Sequence, residues 1–112
     1  MLEKISLSQV PVTTSDSGNG KDYTFLSLSD NAKTGITKIA VTVLRGTEKL
    51  ATQVSATAEK YLLVRKGSIA IHTAEETIKM VADDFLRIPT QTAYSIEALE
   101  DAEVLCIGCA IE

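Results

Sequence analysis

The stretch GSIAIHTAEETIKMVADDFLRIPTQTAYSIEA, residues 67–98, decides the fold class of this chain. Short segments in which apolar and polar residues alternate are separated by polar turns, and the Ile88-Pro89 step forms a rigid corner between two of them. No segment keeps a helical period. Together with the flanking sequence, the alternation predicts strands at 23–28, 35–44, 50–55, 61–65, 68–73, 77–81, 85–88, 93–98 and 103–111. Many short strands with turn signals between them indicate an all-β sandwich or barrel.

The composition bounds the class of the protein. A length of 112 residues and a hydrophobic content of 45% predict one domain, residues 1–112, with a packed core. The net charge of −4 and the scattered basic residues disfavour nucleic-acid binding. No apolar run reaches the length of a membrane span, and the N-terminus lacks the pattern of a secretory signal, so we expect a cytoplasmic protein.

The first 22 residues differ in sequence pattern from the rest, and they predict an N-terminal arm followed by a mobile loop. Residues 2–10 alternate and predict an edge strand or a lead-in arm, since Pro11 is unfavourable in a central strand. Residues 13–22, TTSDSGNGKD, are rich in turn-forming residues and predict the loop.

Residues 35–44, GITKIAVTVL, form the strongest predicted strand, because they are dense in β-branched residues. One face carries even-numbered residues from Ile36 to Leu44, and the other carries Thr37, Ile39, Val41 and Val43. The second face is more apolar, and we expect it to face the core. The strands at 35–44 and 104–111 carry little charge and would suit a homodimer interface.

The two cysteines, Cys106 and Cys109, have the spacing of a redox or zinc motif. They fall in the last predicted strand, where residues three apart point to opposite faces. This geometry disfavours a disulfide or a shared metal. We therefore expect buried structural thiols.

The second half of the chain resembles the second sequence motif of the cupin superfamily. Cupins read Gly-x5-Pro-x-Gly-x-x-His-x3-Asn at this point. In this chain Asp83 stands at the first glycine, Pro89 at the proline, Gln91 at the second glycine, Tyr94 at the histidine and Ala98 at the asparagine. The resemblance covers roughly residues 36–110 and implies a double-stranded β-helix, the jelly-roll barrel of cupins.

The first cupin motif, in which a glycine precedes His-x-His, a glutamate and a second glycine, is matched more loosely. Gly46 and Gly67 resemble its two glycines. Counting from Gly46 places Thr52 and Val54 at the histidine positions, whereas a shift of one residue places Gln53 and Ser55 there. Counting back from Gly67 places Lys60, rather than Glu59, at the glutamate position.

No register supplies the histidines with which cupins bind a divalent metal. The chain has a single histidine, His72, which lies away from every motif position and is expected at the surface. We therefore expect no bound metal and no other cofactor. Metal-dependent cupin chemistries then become unfavourable interpretations.

The resemblance implies a pocket inside the barrel, and six residues are candidates to line it. Tyr94 falls at an inward-facing position, where it would act as a proton donor or orient a ligand, or would simply be a core tyrosine. Glu59 and Lys60 form either a pocket ion pair or a solvated turn. Arg87 would bind an anion if it points inward, and is ordinary surface if it points outward. Gln91 and Thr52 would line the pocket mouth.

Three functions are compatible with these residues. The first is a metal-free cupin-like protein that binds or senses a small molecule in its barrel pocket. The second is a metal-independent sugar isomerase or epimerase with Tyr94 as catalytic acid or base. The third is a structural or interaction protein with a filled barrel. In each case we expect a homodimer with no nucleic-acid or membrane partner.

Overall fold

Two antiparallel β-sheets face each other in the computed structural model, which describes residues 4–14, 20–27 and 35–111. The chain forms β1 Val12–Thr14, β2 Lys21–Ser27, β3 Ile36–Leu44, β4 Ala58–Lys66, β5 Ser68–His72, β6 Thr77–Val81, β7 Phe85–Ile88, β8 Ser95–Ala98 and β9 Ala102–Ala110. The large sheet has the order β1-β2-β3-β9-β4-β7, and the small sheet has the order β6-β5-β8. The all-β prediction is confirmed, and this topology is that of a jelly roll.

The core lies between the two sheets and is built almost entirely from aliphatic residues. The strands from β3 to β9 contribute to it, with alternate residues of β4, β5, β8 and β9 facing inward, as the pattern in the sequence predicts. Burial of each such side chain stabilises the fold by about 1.5–3 kcal/mol relative to exposure. The core consists of Leu44, Leu50, Leu62, Val64, Ile69, Ile71, Met80, Ile88, Tyr94, Ile96, Ala98, Ala102 and Val104.

The prediction of which face of β3 meets the core was wrong. Leu44 belongs to the core, and the residues of its face, Ala40 and Thr42, are buried. Val41, on the predicted core face, is also buried, but it does not belong to the core cluster. The sequence favoured the more apolar face, whereas the interior here accepts small and polar residues because it contains a cavity.

The N-terminal prediction is corrected in two places. Leu7–Gln9 forms a 3₁₀ helix, and the edge strand β1 begins after Pro11 rather than before it. The ends of the predicted loop 13–22 belong to β1 and β2, which pair with each other, while residues 15–19 lie outside the described residues. That residues 1–112 form one domain stays a prediction.

The segment between β3 and β4 runs along the free edge of β8. Leu50 N donates to Ile96 O, and Gln53 and Tyr94 exchange both backbone hydrogen bonds. The strand predicted at 50–55 is therefore present as isolated bridges rather than as a regular strand. Its position matters because it carries Gln53 to the space between the sheets.

Within the described ranges, no helix is long and apolar enough to cross a membrane.

Candidate functional site

A cavity of about 80 Å³ lies between the large sheet and β8. Its walls combine apolar core residues with an unusual set of polar and charged ones. The lining consists of Asp22, Lys38, Thr42, Leu50, Gln53, Lys60, Leu62, Tyr94, Ile96, Cys106, Ile107 and Gly108. Charged side chains are costly to place in such an interior unless they are paired, so each one is expected to have a partner of opposite charge.

One side of the cavity is a closed network around Asp22 of β2. The Lys38 ammonium contacts Asp22 Oδ2 at 2.8 Å, and Thr42 Oγ1 donates to Asp22 Oδ1 at 2.7 Å. Both carboxylate oxygens therefore have a partner. Thr42 Oγ1 is also 3.4 Å from Cys106 Sγ. The network pairs Lys38 with a carboxylate and fixes its position.

Lys60 is the charged residue of the cavity that this network leaves out. It lies on β4, and the register places it opposite Gly108, which is itself opposite Lys38 on the other side. Among the described residues, no carboxylate pairs with Lys60 Nζ. Burial lowers the pKa of Lys60, and the nearby positive charge of Lys38 lowers it further. Lys60 is thus a half-buried amine whose charged form is disfavoured.

Tyr94 and Gln53 form the opposite wall. Tyr94 is only 5% exposed and belongs to the core, while its hydroxyl donates to Gln53 Oε1 at 3.5 Å, a long hydrogen bond. Burial raises the pKa of Tyr94 to about 12. The hydroxyl therefore remains protonated near neutral pH, as a donor rather than a base.

The other four candidate residues lie away from the cavity. Glu59 and Arg87 lie on the outer face of the large sheet and pair with each other there. Glu59 also accepts a hydrogen bond from Tyr61 OH at 2.9 Å. The sequence left the orientation of Arg87 undecided, and in the structure Arg87 points outward. Glu59 lies outward because Lys60, its neighbour in β4, points inward.

Thr52 and Gln91 are exposed and do not line the cavity. Gln53 lines it instead of Thr52, which is a shift of one residue. The backbone N–H of Gln91 donates to Ser55 O at 2.6 Å, so Gln91 contributes to the turn rather than to the interior. Of the six candidates, the structure brings together Lys60 and Tyr94.

Sequence reasoning missed several cavity residues. Lys38 and Thr42 were placed on the face of β3 turned away from the core, and Asp22 in a loop. A polar residue at alternate positions of a strongly apolar strand was the available signal for Lys38 and Thr42. Nothing local in the sequence marked Asp22, because its role depends on the pairing of β2 with β3.

Backbone conformation fixes the register of the first motif. Thr47, Asp83 and Gln91 have positive φ angles of 73°, 75° and 61°, a conformation that favours glycine. Asp83 and Gln91 stand at the two glycine positions of the second motif. Thr47 therefore stands at the first glycine of the first motif, one residue after Gly46.

Counting from Thr47 places Gln53 and Ser55 at the histidine positions, with Lys60 at the glutamate position and Tyr94 at the last histidine. Ser55 accepts the backbone N–H of Ala58 at 3.0 Å and does not line the cavity. The other three positions converge in it. At the positions that resemble the metal-ligand set of cupins, this chain thus carries an amide, an amine and a phenol.

These residues do not fit a divalent metal. An ammonium repels a cation, and a tyrosine with a raised pKa offers a protonated hydroxyl rather than an anionic oxygen. In the part of the chain that the structure describes, no group of three or more His, Cys, Asp or Glu side chains could hold a metal ion. The absence of a bound metal stays a prediction.

Within the ranges that the structure describes, His72 and the cysteines belong to no group of side chains that could hold a metal ion. His72 Nε2 is 2.8 Å from Glu97 Oε1, and its Nδ1 is 3.0 Å from Thr77 Oγ1, so the ring is held at the surface of the small sheet. Both cysteines are free and half-buried rather than fully buried. Burial raises the pKa of Cys106, which makes its thiol a weak nucleophile.

The similarity of this chain to known proteins lies in its fold. No family model matches the chain, and no curated protein matches it in sequence. A predicted oxalate decarboxylase from Thermotoga maritima superposes with a TM-score of 0.84 at 14% identity, over 97% of this chain and 100% of that one. Ectoine synthase from P. lautus gives 0.80 at 12% identity, over 96% of this chain and 78% of that one.

The cupin domain of Schizosaccharomyces pombe Cnp3 gives a TM-score of 0.77 at 14% identity, over 96% of this chain and 74% of that one. These identities establish a shared architecture rather than a shared activity. The sheet order, the positive φ angles at the motif glycine positions and these superpositions agree. The chain therefore has the jelly-roll fold of the cupin superfamily.

Proposed function

We propose that this protein binds a small carboxylate-bearing molecule in the cavity between its sheets. The observation that carries the proposal is the charge count of the cavity, where two lysines face one carboxylate. Asp22 is committed to Lys38, and Lys60 has no carboxylate partner among the described residues. A buried cation without a partner is unfavourable. The carboxylate of an anionic ligand would therefore supply the negative charge that the protein does not place beside Lys60.

The size and the other walls of the cavity support a small ligand. A volume of about 80 Å³ is far below the roughly 300–1,000 Å³ of drug-sized pockets. It favours an organic acid of a few heavy atoms over a sugar. The Tyr94 hydroxyl and the Gln53 amide offer hydrogen bonds opposite the lysines, and the neighbouring leucines exclude water.

A titration with acetate, followed by NMR of the backbone amides, tests the proposal. We expect acetate to shift the signals of Gln53, Lys60 and Tyr94, and acetamide, which has nearly the same shape without the charge, to bind at least about tenfold more weakly, a difference of about 1.4 kcal/mol. Lys60→Met should abolish the acetate shifts, whereas Lys79→Met, at an exposed position of β6, should retain them.

Equal binding of acetate and acetamide, or unchanged acetate binding by Lys60→Met, would contradict the proposal. If neither acetate nor any larger mono- or dicarboxylate binds, the interior is a filled core. The third interpretation of the sequence, a structural or interaction protein, would then stand.

An isomerase is the second candidate, and one pairing favours it. Proton transfer between two positions of a substrate needs an acceptor and a donor. The raised pKa of Tyr94 suits the donor, and the lowered pKa of Lys60 suits the acceptor. Exchange of a carbon-bound proton of the ligand with solvent deuterium, lost in Tyr94→Phe while binding is retained, would support the enzyme over the binding module.

A homodimer also belongs to this proposal, with the outer face of the large sheet as its interface. The strand register aligns a row of apolar side chains across this face: Val12, Tyr23, Val41, Leu105, Leu63 and Phe85. Phe85, at the end of the row, is 63% exposed and stacks on Tyr61. Val12, at the other end, is 49% exposed, whereas Val41 in the middle of the row is buried. Exposed apolar side chains on one sheet face are typical of interfaces.

Light scattering after gel filtration tests the dimer. Phe85→Lys should yield a monomer, because a charge would be buried at a twofold-symmetric contact. Val81→Lys places the same charge at an exposed position of the small sheet and should leave the dimer intact. A wild-type monomer at high concentration would refute this part of the proposal.

A further inference from the structure

We propose that Lys60 is a nucleophilic amine that forms an imine with the carbonyl group of a small 2-oxo acid bound in the cavity. This inference rests on the proposed binding of a small carboxylate and goes beyond it by assigning covalent chemistry to one side chain. It would make the ligand a bifunctional molecule, with a carboxylate for one lysine and a ketone or aldehyde for the other.

The two lysines of the cavity are held differently, and this difference assigns their roles. Lys38 is fixed by the contact of 2.8 Å with Asp22, and it would attract the carboxylate of the ligand electrostatically. Lys60 Nζ has no hydrogen bond or ion pair among the described residues, so its lone pair is available once the proton has left. An amine that reacts with a carbonyl needs this freedom, because a paired ammonium is not a nucleophile.

The backbone leaves space where the Lys60 amine lies. Gly108 stands between the two lysines in the register, and a Cβ atom at this position would lie 3.1 Å from Lys60 Nζ and 2.5 Å from Thr37 Oγ1. A side chain at this position would crowd the lysine head group. The Lys60 amine therefore lies over β9, and the half-buried Lys60 lines the cavity.

The surroundings favour the neutral amine that the reaction requires. Burial and the neighbouring Lys38 both lower the pKa of Lys60. Desolvation and an adjacent cation are the two ways in which proteins activate a lysine for carbonyl chemistry. Within the described cavity lining, the one carboxylate is Asp22, and it pairs with Lys38.

The reaction balances without any oxidant or metal. The Lys60 nitrogen lone pair attacks the carbonyl carbon, and the carbonyl π electrons move to the oxygen, which takes up a proton. The nitrogen loses a proton, the carbon–oxygen bond then breaks, and one water leaves as the carbon–nitrogen double bond forms. The Tyr94 hydroxyl, held protonated in the same cavity, is the available donor for the departing oxygen.

Reductive trapping of the full chain tests the inference, with pyruvate as probe and sodium cyanoborohydride as reductant. We expect a single stable adduct with the mass of one reduced pyruvate imine, assigned to Lys60 by peptide mapping. The lowered pKa raises the neutral fraction of Lys60, and the cavity would hold pyruvate beside it, so labelling of Lys60 should exceed that of Lys79 on the exposed side of β6. Acetate, which lacks the carbonyl, should protect Lys60.

Lys60→Arg is the decisive variant, because it retains the positive charge but cannot form the imine. It should still shift the NMR signal of Tyr94 on addition of pyruvate, yet show no specific adduct, whereas Lys79→Arg should be labelled like the wild type. A folded Lys60→Arg, checked by its thermal unfolding, makes the comparison valid. If Lys60→Arg fails to fold, the test is whether acetate protects Lys60 of the wild type from labelling by pyruvate. Labelling of Lys60 that acetate does not reduce would then overturn the imine in the cavity.

The outcomes separate this inference from the proposed function. Labelling spread over the exposed lysines, or pyruvate binding without a Lys60 adduct, overturns the imine and leaves the carboxylate site intact. No binding of pyruvate or of acetate overturns both.

Discussion

Lys38 and Lys60 lie on either side of Gly108, in register across β3, β9 and β4, and within the described residues a carboxylate pairs with Lys38 alone. One lysine of this small cavity is therefore held in an ion pair, and the other can pair with a ligand. This difference arises because Asp22 reaches the cavity from β2, beyond Lys38, and not from the β7 side of the sheet.

Asp22→Asn should destabilise the protein by about 1–2 kcal/mol, because it removes the partner of Lys38 and weakens the hydrogen bond from Thr42. It should also strengthen acetate binding, since two unpaired cations would then face the ligand. Urea unfolding and the NMR titration measure the two effects. Glu75→Gln, an exposed change of the same kind in a turn, should alter neither.

Gly108→Ala should displace the Lys60 side chain, because the new Cβ would contact Lys60 Nζ and Thr37 Oγ1 too closely. We expect a destabilisation of about 1–3 kcal/mol and a loss of acetate binding. Gly35→Ala is the matched control, since its Cβ would meet no atom closer than 3.7 Å. Unchanged acetate affinity in a folded Gly108→Ala would count against the position assigned to Lys60.

Gln91→Gly should stabilise the protein by up to about 1 kcal/mol, because Gln91 has a φ of 61° in the turn after Pro89. Its backbone hydrogen bond to Ser55 O is retained by a glycine. Thr90→Gly, at the neighbouring residue without a positive φ, should destabilise. Thermal unfolding of the three proteins gives the comparison, and equal losses in both variants would refute the strain at Gln91.

The ultraviolet absorbance of the tyrosinate should reveal Tyr94 as a late-titrating group. The difference between the wild type and Tyr94→Phe should appear with a midpoint near pH 12, since burial raises the pKa to about 12. A raised pKa in the folded state means that the stabilisation is complete below the ordinary tyrosine pKa and is lost as the pH rises above it. The wild type should therefore lose more stability than Tyr94→Phe above pH 10, and a midpoint at an ordinary pKa would contradict this burial.

Arg87→Ala should leave acetate binding unchanged, because Arg87 pairs with Glu59 on the outer face of the large sheet. The loss of stability should stay below about 1 kcal/mol, as the Arg87 side chain is 57% exposed. Calorimetric titration with acetate measures the first effect. Weaker binding in this variant would restore Arg87 as an anion-binding residue.

The sequence by itself determined most of the strands and the class of fold. The short alternating segments at 77–81 and 85–88 coincide with β6 and β7, because a turn at Asp83-Asp84 and a proline after Ile88 bound them locally. The spacing of Asp83, Pro89 and Gln91 also carried the resemblance to cupins, since turn geometry depends on neighbouring residues.

The tertiary structure alone decided which side chains meet inside. A strand alternates with a period of two, so a shift of one residue exchanges every inward residue for an outward one. This shift separates Gln53 from Thr52 and Lys60 from Glu59, and local sequence does not resolve it. Asp22 joined the site through the pairing of β2 with β3. Strand register and long-range pairing are properties of the whole sheet, and they decided the chemistry of the cavity.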